Sequence, residues 1–266
     1  MEAVSPTRRL RRDRWVILAG LGGVTAAAWV FLASDALPMP VGMSGGPMMG
    51  DAMVRVQPWA AGQLAPRFLM WAVMMVAMML PTAIPMTLVY AAVARKAARE
   101  NRPVAPTFVF VAGYLAIWVL FSVAATAAQS GLDQWALLSP TMSSASPYLG
   151  GGLLIAAGVY ELTPYKHTCL AHCRAPAHFI SQKWRSGFPG AFRMGLGLGT
   201  YCLGCCWILM GLLFVGGLMN LLWVAAIAAF ILLEKTLPLA EVGARLVGAA
   251  MIVVGLVSVS GLAPLG

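Results

Sequence analysis

Soft and borderline metal ligands stand in two short runs of this chain: Cys169, His172 and Cys173, with His167 beside them, and Cys202, Cys205 and Cys206, with Met210 one turn beyond. Thiolate and imidazole bind Zn(II) as well as Cu(I), and thiolate is the ligand that favours the softer ion. In a helix over residues 165–175, Cys169 and Cys173 share a face as i and i+4, and His172 lies next to them at i+3. Three ligands then converge, with His167 a fourth after a small loop adjustment. Lys166 and Arg174 flank them, and their charge is expected to lower the thiol pKa values and favour thiolate. In the second run the three thiols and Met210 form one helical stripe. Cysteine is also a small hydrophobe that packs well between helices, so inert thiols give the same spacing. Metal binding is favoured by the polar setting of the first run and by three thiols within five residues in the second.

A third candidate is the methionine series of residues 70–86, MWAVMMVAMMLPTAIPM. Met70, Met74 and Met78 form one i, i+4 ladder, and Met75 and Met79 form an adjacent one. Thioethers select Cu(I) because both partners are soft and the sulfur needs no deprotonation. Methionine is equally a pliable apolar filler. Its density here, with Met39, Met43, Met48, Met49 and Met53 just upstream, argues for a metal route as well. Pro81 and Pro85 interrupt the backbone ladder and are expected to kink the segment.

The elements that must position these groups are membrane helices. Of 266 residues, 60% are hydrophobic and 10% charged, and the mean hydropathy is +0.81; this composition excludes an ordinary soluble domain. Apolar stretches near the length of a bilayer crossing, about 20 residues, lie around 15–33, 68–93, 106–128, 147–164, 191–217, 220–237 and 241–262. The fold expected is all-α: a polytopic membrane helix bundle of about seven transmembrane helices, the fourth and sixth somewhat short.

Charge sets the orientation. Arg8, Arg9, Arg11, Arg12 and Arg14 precede the first stretch; Arg95, Lys96, Arg99 and Arg102 follow the second. Lys166, Arg174, Lys183, Arg185 and Arg193 surround the fourth-to-fifth connection, and Lys235 and Arg245 flank the last turn, so that Arg55 and Arg67 alone fall on the other side. Basic residues are retained in the cytoplasm, which places the N-terminus in and the C-terminus out. The net charge of +9 is thereby a topology signal facing lipid headgroups and calls for no nucleic acid. The first stretch has the basic flank of a signal peptide, but its length of about 19 residues favours a retained anchor.

Three regions result: 1–33, a basic N-terminus and first anchor helix; 34–66, a Met-, Gly- and Pro-rich extracytoplasmic loop; and 67–266, a six-helix metal-binding membrane domain. A second outer loop, near 129–147, is Ser-rich. Glu161 and Glu234 lie near the cytoplasmic boundary; as intramembrane carboxylates they are candidate ion or proton sites. The plainer expectation is that Glu234 pairs locally with Lys235 or Arg245.

The motifs MMVAMMLPTAIPM, LTPYKHTCLAHCRAP and YCLGCCWILM, followed by GLMNLLW and EKTLP, resemble a bacterial family of predicted metal-binding integral membrane proteins over about residues 67–262. Some members of that family carry a copper-chaperone label. The resemblance implies copper handling at the bacterial inner membrane. By analogy and not homology, the order of methionine-rich outer segment, membrane MxxxM and inner Cys and His is that of Ctr-type copper uptake proteins.

The reading is therefore of a non-enzymatic membrane protein that binds and moves or delivers a soft ion. Cu(I) is favoured and Zn(II) is the second choice. Its partners would be the metal, membrane lipid and a metallochaperone or a metalloenzyme subunit. A membrane thiol-disulfide oxidoreductase, or an accessory subunit for metalloenzyme assembly, remains as an alternative.

Overall fold

The computed structural model describes residues 6–36, 61–135, 146–237 and 240–261. Among these there are ten helices and no strand: α1 (Pro6–Ala36), α2 (Ala61–Arg99), α3 (Thr107–Gln134), α4 (Pro147–Glu161), α5 (Pro164–Arg174), α6 (Pro176–Lys183), α7 (Gly187–Gly211), α8 (Leu213–Gly216), α9 (Leu221–Thr236) and α10 (Ala240–Val259). Proline opens α4, α5 and α6, where its missing N–H is no loss. Thr163 caps α5 by accepting from the Lys166 amide, and Asn220 caps α9 through the Trp223 amide. Gly217, at φ +87°, turns the chain between α8 and α9, a conformation open to glycine.

Among the described residues five helical stretches are long and apolar enough to cross a membrane: Arg14–Ser34, Leu64–Arg99, Thr107–Gln134, Gly187–Gly216 and Val242–Val259. The expected fourth and sixth spans are helical too, as α4 and α9, but have 15 and 16 residues. At 1.5 Å per residue they are about 22 to 24 Å long, shorter than a hydrocarbon core of about 30 Å. α4 stops at a buried carboxylate, Glu161, and α9 carries another, Glu234, in its last turn.

Two boundaries differ from expectation. α2 begins at Ala61, inside the region read as loop 34–66, and continues through Pro66, Pro81 and Pro85 as one helix. A backbone in or near lipid must satisfy its own hydrogen bonds, and this carries the helix past residues that break it in water. Likewise α3 runs to Gln134, into the segment expected as the second outer loop. Met39, Met43, Met48, Met49 and Met53 lie outside the described residues.

α2 is central, packing on α1, α3, α6 and α9. Trp71, Met74, Met75, Met78 and Met79 are all buried there. Trp71 donates to the Gln129 side chain at 2.8 Å, and Arg67 bonds Asp133 at 2.7 Å and Ser130 at 3.2 Å, tying one end of α2 to α3. α3 and α7 touch backbone to backbone: a Cβ on Gly195 would stand 2.0 Å from the Phe110 carbonyl oxygen, and one on Gly113 2.2 Å from that of Phe192. α4 and α10 meet in the same manner at Gly151, Gly158, Gly248 and Gly255.

Gly195→Ala is expected to force α3 and α7 apart and destabilise the bundle by roughly 1–3 kcal/mol, the range for overpacking. Gly197→Ala, whose Cβ would find Phe179 at an ordinary 3.7 Å, should be near neutral. Thermal unfolding of the two variants in detergent separates these outcomes, and equal losses would refute the α3–α7 contact.

Candidate metal centre

Cys202, Cys205 and Cys206 form the expected stripe on α7, all buried, and Met210 is buried one turn further on. The Cys205 and Cys206 thiols donate to the Cys202 carbonyl at 3.1 and 2.9 Å, which gathers the sulfurs around one turn. α5 then lies against this stripe. Gly204 makes the approach possible: a Cβ there would stand 2.8 Å from Cys169 Sγ. One turn along α5, Cys173 comes within interaction range of the side chains of both Cys202 and Cys205. The two thiol runs, expected as an inner station and a separate mid-membrane one, are thus a single assembly across the α5–α7 interface. The cause is the sharp break at Leu162–Thr163, which folds α5 back against α7 rather than away from the bundle.

Cys202 is the hub. Its sulfur takes a contact of 2.8 Å from the Lys235 ammonium and stands 3.1 Å from the Tyr114 hydroxyl. Tyr114 also donates to the Met79 carbonyl at 3.0 Å, and Lys235 reaches Thr82 at 3.4 Å. Four helices, α2, α3, α7 and α9, therefore meet at one thiol. An ammonium against a buried sulfur provides both the counter-charge and the donor that a thiolate needs in an apolar bundle.

The expected roles of the neighbours change. His172, expected beside Cys169 and Cys173, bonds the Thr168 carbonyl through Nδ1 at 2.9 Å and stacks on Tyr201 with ring centroids 4.2 Å apart. Those two contacts hold the imidazole on the Tyr201 side. For His167, half-buried, no described contact joins it to a thiol. Glu234 does not pair with Lys235 or Arg245 but with Lys166, at 2.6 Å, and Glu161 pairs with the same ammonium. Residues 234 and 235 diverge because neighbours on a helix differ by about 100° in direction.

Lys166 and Arg174 do not activate the thiols of α5 as expected, since Lys166 is spent on two carboxylates and Arg174 donates to the Glu234 and Leu237 carbonyls. Burial pushes the Cys169 thiol up, with the nearby Cys205 adding to it. Hydrogen bonds to Cys202 and Cys205 hold the Cys173 thiol well above the ordinary range. Both are thiols at neutral pH. Alkylation of Cys169 by a small maleimide in the metal-free protein should therefore be slow at neutral pH and rise continuously as the solution is made alkaline. Peptide mass spectrometry reads this, and a rate already at its plateau near pH 7 would contradict it.

The methionines continue from this hub. Met78 and Met79 are buried one turn before Thr82, while Met74 and Met75 are buried a turn earlier, and Met70 is half-buried at the start. The rise from Met70 to Met79 is about 14 Å. Lys235, Tyr114 and Thr82 were missing as site residues from the sequence reading. A lysine closing an otherwise apolar helix reads as a topology-setting charge, and an aromatic and a threonine within apolar runs carry no signal.

Among the described residues no three His, Cys, Asp or Glu side chains stand ready as a metal shell. A family model described as PpoB2, copper chaperone, matches residues 68–258. No curated protein and no solved structure gives a significant match.

Proposed function

This chain belongs to the PpoB2 copper chaperone family, and on that premise we propose that it is a non-enzymatic carrier of Cu(I) within the bacterial cytoplasmic membrane. It takes the ion as cargo from methionine thioethers and holds it on the thiols around Cys202. The observation that carries this reading is the approach of Cys169 and Cys173 on α5 to the thiol stripe of α7, beside the half-buried Lys235 ammonium. Cu(I) is satisfied by few soft ligands, so a pair of sulfurs brought together by a small shift of α5 suffices. Zn(II) would ask for four ligands in a tetrahedron, and the imidazoles that would complete one face elsewhere.

Ligand exchange explains the composition of the path. Thioethers are uncharged and bind weakly, whereas thiolates bind strongly, so affinity rises from Met70 through Met74 and Met78 to Cys202. Met210 extends the thiol stripe on the other side. With α4 and α9 crossing as short helices, the chain spans the bilayer seven times, N-terminus in and C-terminus out, as the basic residues require. The acceptor is a metallochaperone or a subunit of a metalloenzyme.

The test is metal content after expression with copper and zinc both supplied. Copper bound to purified protein, and its loss in the Cys169→Ser, Cys173→Ser double variant, are the expected results. A zinc-only product, or copper retained unchanged in the double variant, would overturn the reading.

A further inference from the structure

Beside the thiols the bundle encloses a second group of ionisable side chains that ligand exchange does not use. Glu161 closes α4, Lys166 lies in α5 and Glu234 in α9, and all three are buried. The Lys166 ammonium bridges the carboxylates: it contacts Glu161 Oε2 and donates to Glu234 Oε1 at 2.6 Å. The Phe230 ring lies 5.7 Å from the same ammonium and keeps it from solvent. α10 packs there with Gly248 against the Glu161 Cβ, and among the described residues no charged group of α10 contacts the three side chains. Arg174 donates to the Glu234 and Leu237 backbone carbonyls, and Lys235 turns to Cys202.

Two features single out Glu161. Two carboxylates share one ammonium, so the group carries an excess negative charge in a place where unpaired charge is costly. In addition, Glu161 Oε1 is buried without a hydrogen-bond partner among the described residues. A buried oxygen in that state is under-satisfied, and the smallest occupant that meets both the charge and the unused lone pairs is a proton. Glu234 faces Glu161 closely enough to share a hydrogen bond with it once one of them is protonated.

We propose that Glu161, Lys166 and Glu234 form a proton-binding site inside the bundle, with Glu161 Oε1 the atom that takes the proton. Resting on the copper reading, its service is to the thiols. When Cu(I) bonds to a cysteine sulfur the S–H bond breaks, the sulfur keeps the electron pair for the metal, and the proton forms an O–H bond at Glu161. The only charge added to the bundle is that of the ion. Position supports the pairing of the two sites: Lys166 lies one turn before Cys169 on α5, and Glu234 precedes the lysine that contacts Cys202.

Infrared difference spectroscopy of the whole protein in nanodiscs tests this in two steps. In the metal-free protein, acidification should raise the C=O stretch of a buried protonated carboxyl, lost in Glu161→Gln and kept in Glu100→Gln, whose side chain is on the surface. An identical acid-induced band in wild type and Glu161→Gln would overturn the proposal, whatever the protein does with copper. Addition of saturating Cu(I) at constant pH should then raise the same band in wild type and in Glu100→Gln, and leave Glu161→Gln flat. Copper bound with no change in that band would overturn the link to the thiols. Absence of copper binding in wild type would instead defeat the copper reading, and the acid-induced band would still decide the proton site.

Discussion

Cys202→Ser loses more than about 100-fold in Cu(I) affinity, beyond what loss of an outer-shell partner costs, and Lys235→Met loses about 10–100-fold while every sulfur stays in place. The ranking follows from the geometry. Cys202 is the thiol that the ammonium contacts at 2.8 Å and the Tyr114 hydroxyl approaches to 3.1 Å. Serine retains the volume and the hydrogen bond but offers a hard oxygen to a soft ion. A methionine in place of Lys235 would fill the lysine's space and remove its charge while adding a thioether that itself favours Cu(I), so a weakened Lys235→Met reports lost charge in spite of an added ligand. The measurement is competition with a chromophoric Cu(I) chelator across both variants and Cys206→Ser. If Cys206→Ser proves the most damaging of the three, Cys202 is not the hub.

The largest effect on stability is expected at Lys166. Lys166→Met leaves Glu161 and Glu234 buried opposite one another with no cation, and removal of one partner from a buried ion pair costs about 3–5 kcal/mol. The triple variant Glu161→Gln, Lys166→Met, Glu234→Gln removes all three charges together. It should recover most of the loss, because the penalty comes from unpaired charge and not from the absence of the group. Unfolding midpoints in detergent distinguish the cases. A triple variant no more stable than Lys166→Met would show that the ammonium acts by packing instead.

The helical membrane character was readable from composition, and the stretches expected from 147 and from 165 begin within a residue of α4 and α5. The thiol stripe on α7 was likewise visible, since i, i+3 and i+4 spacing settles which side chains share a face. What spacing cannot supply is the partner across an interface. Cys173 meets Cys202 because α5 folds back on α7, and that depends on Gly204 having no side chain at the crossing. Lys235 looked like one more topology-setting charge because nothing local distinguishes a lysine that faces lipid headgroups from one that faces a thiol 33 residues away. Glu234 was assigned to its neighbour for the same reason, although its partner is 68 residues distant. His172 had the right interval from Cys169, but a stacking partner on another helix decided where its ring went.

The divergence of Glu234 and Lys235 has a consequence for the tolerance of α9 to insertion and deletion. One residue serves Lys166 on α5, and the next serves Cys202 on α7. Adding or removing a single residue between Leu221 and Leu233 would rotate both by about 100° and slide them by about 1.5 Å. Both contacts would then be lost at once, with two ionic groups turned toward apolar surroundings. Substitutions along the apolar length of α9 change one packing contact each, whereas a frame slip within the helix disables two sites together. The length of α9 in residues is thus counted off by its chemistry.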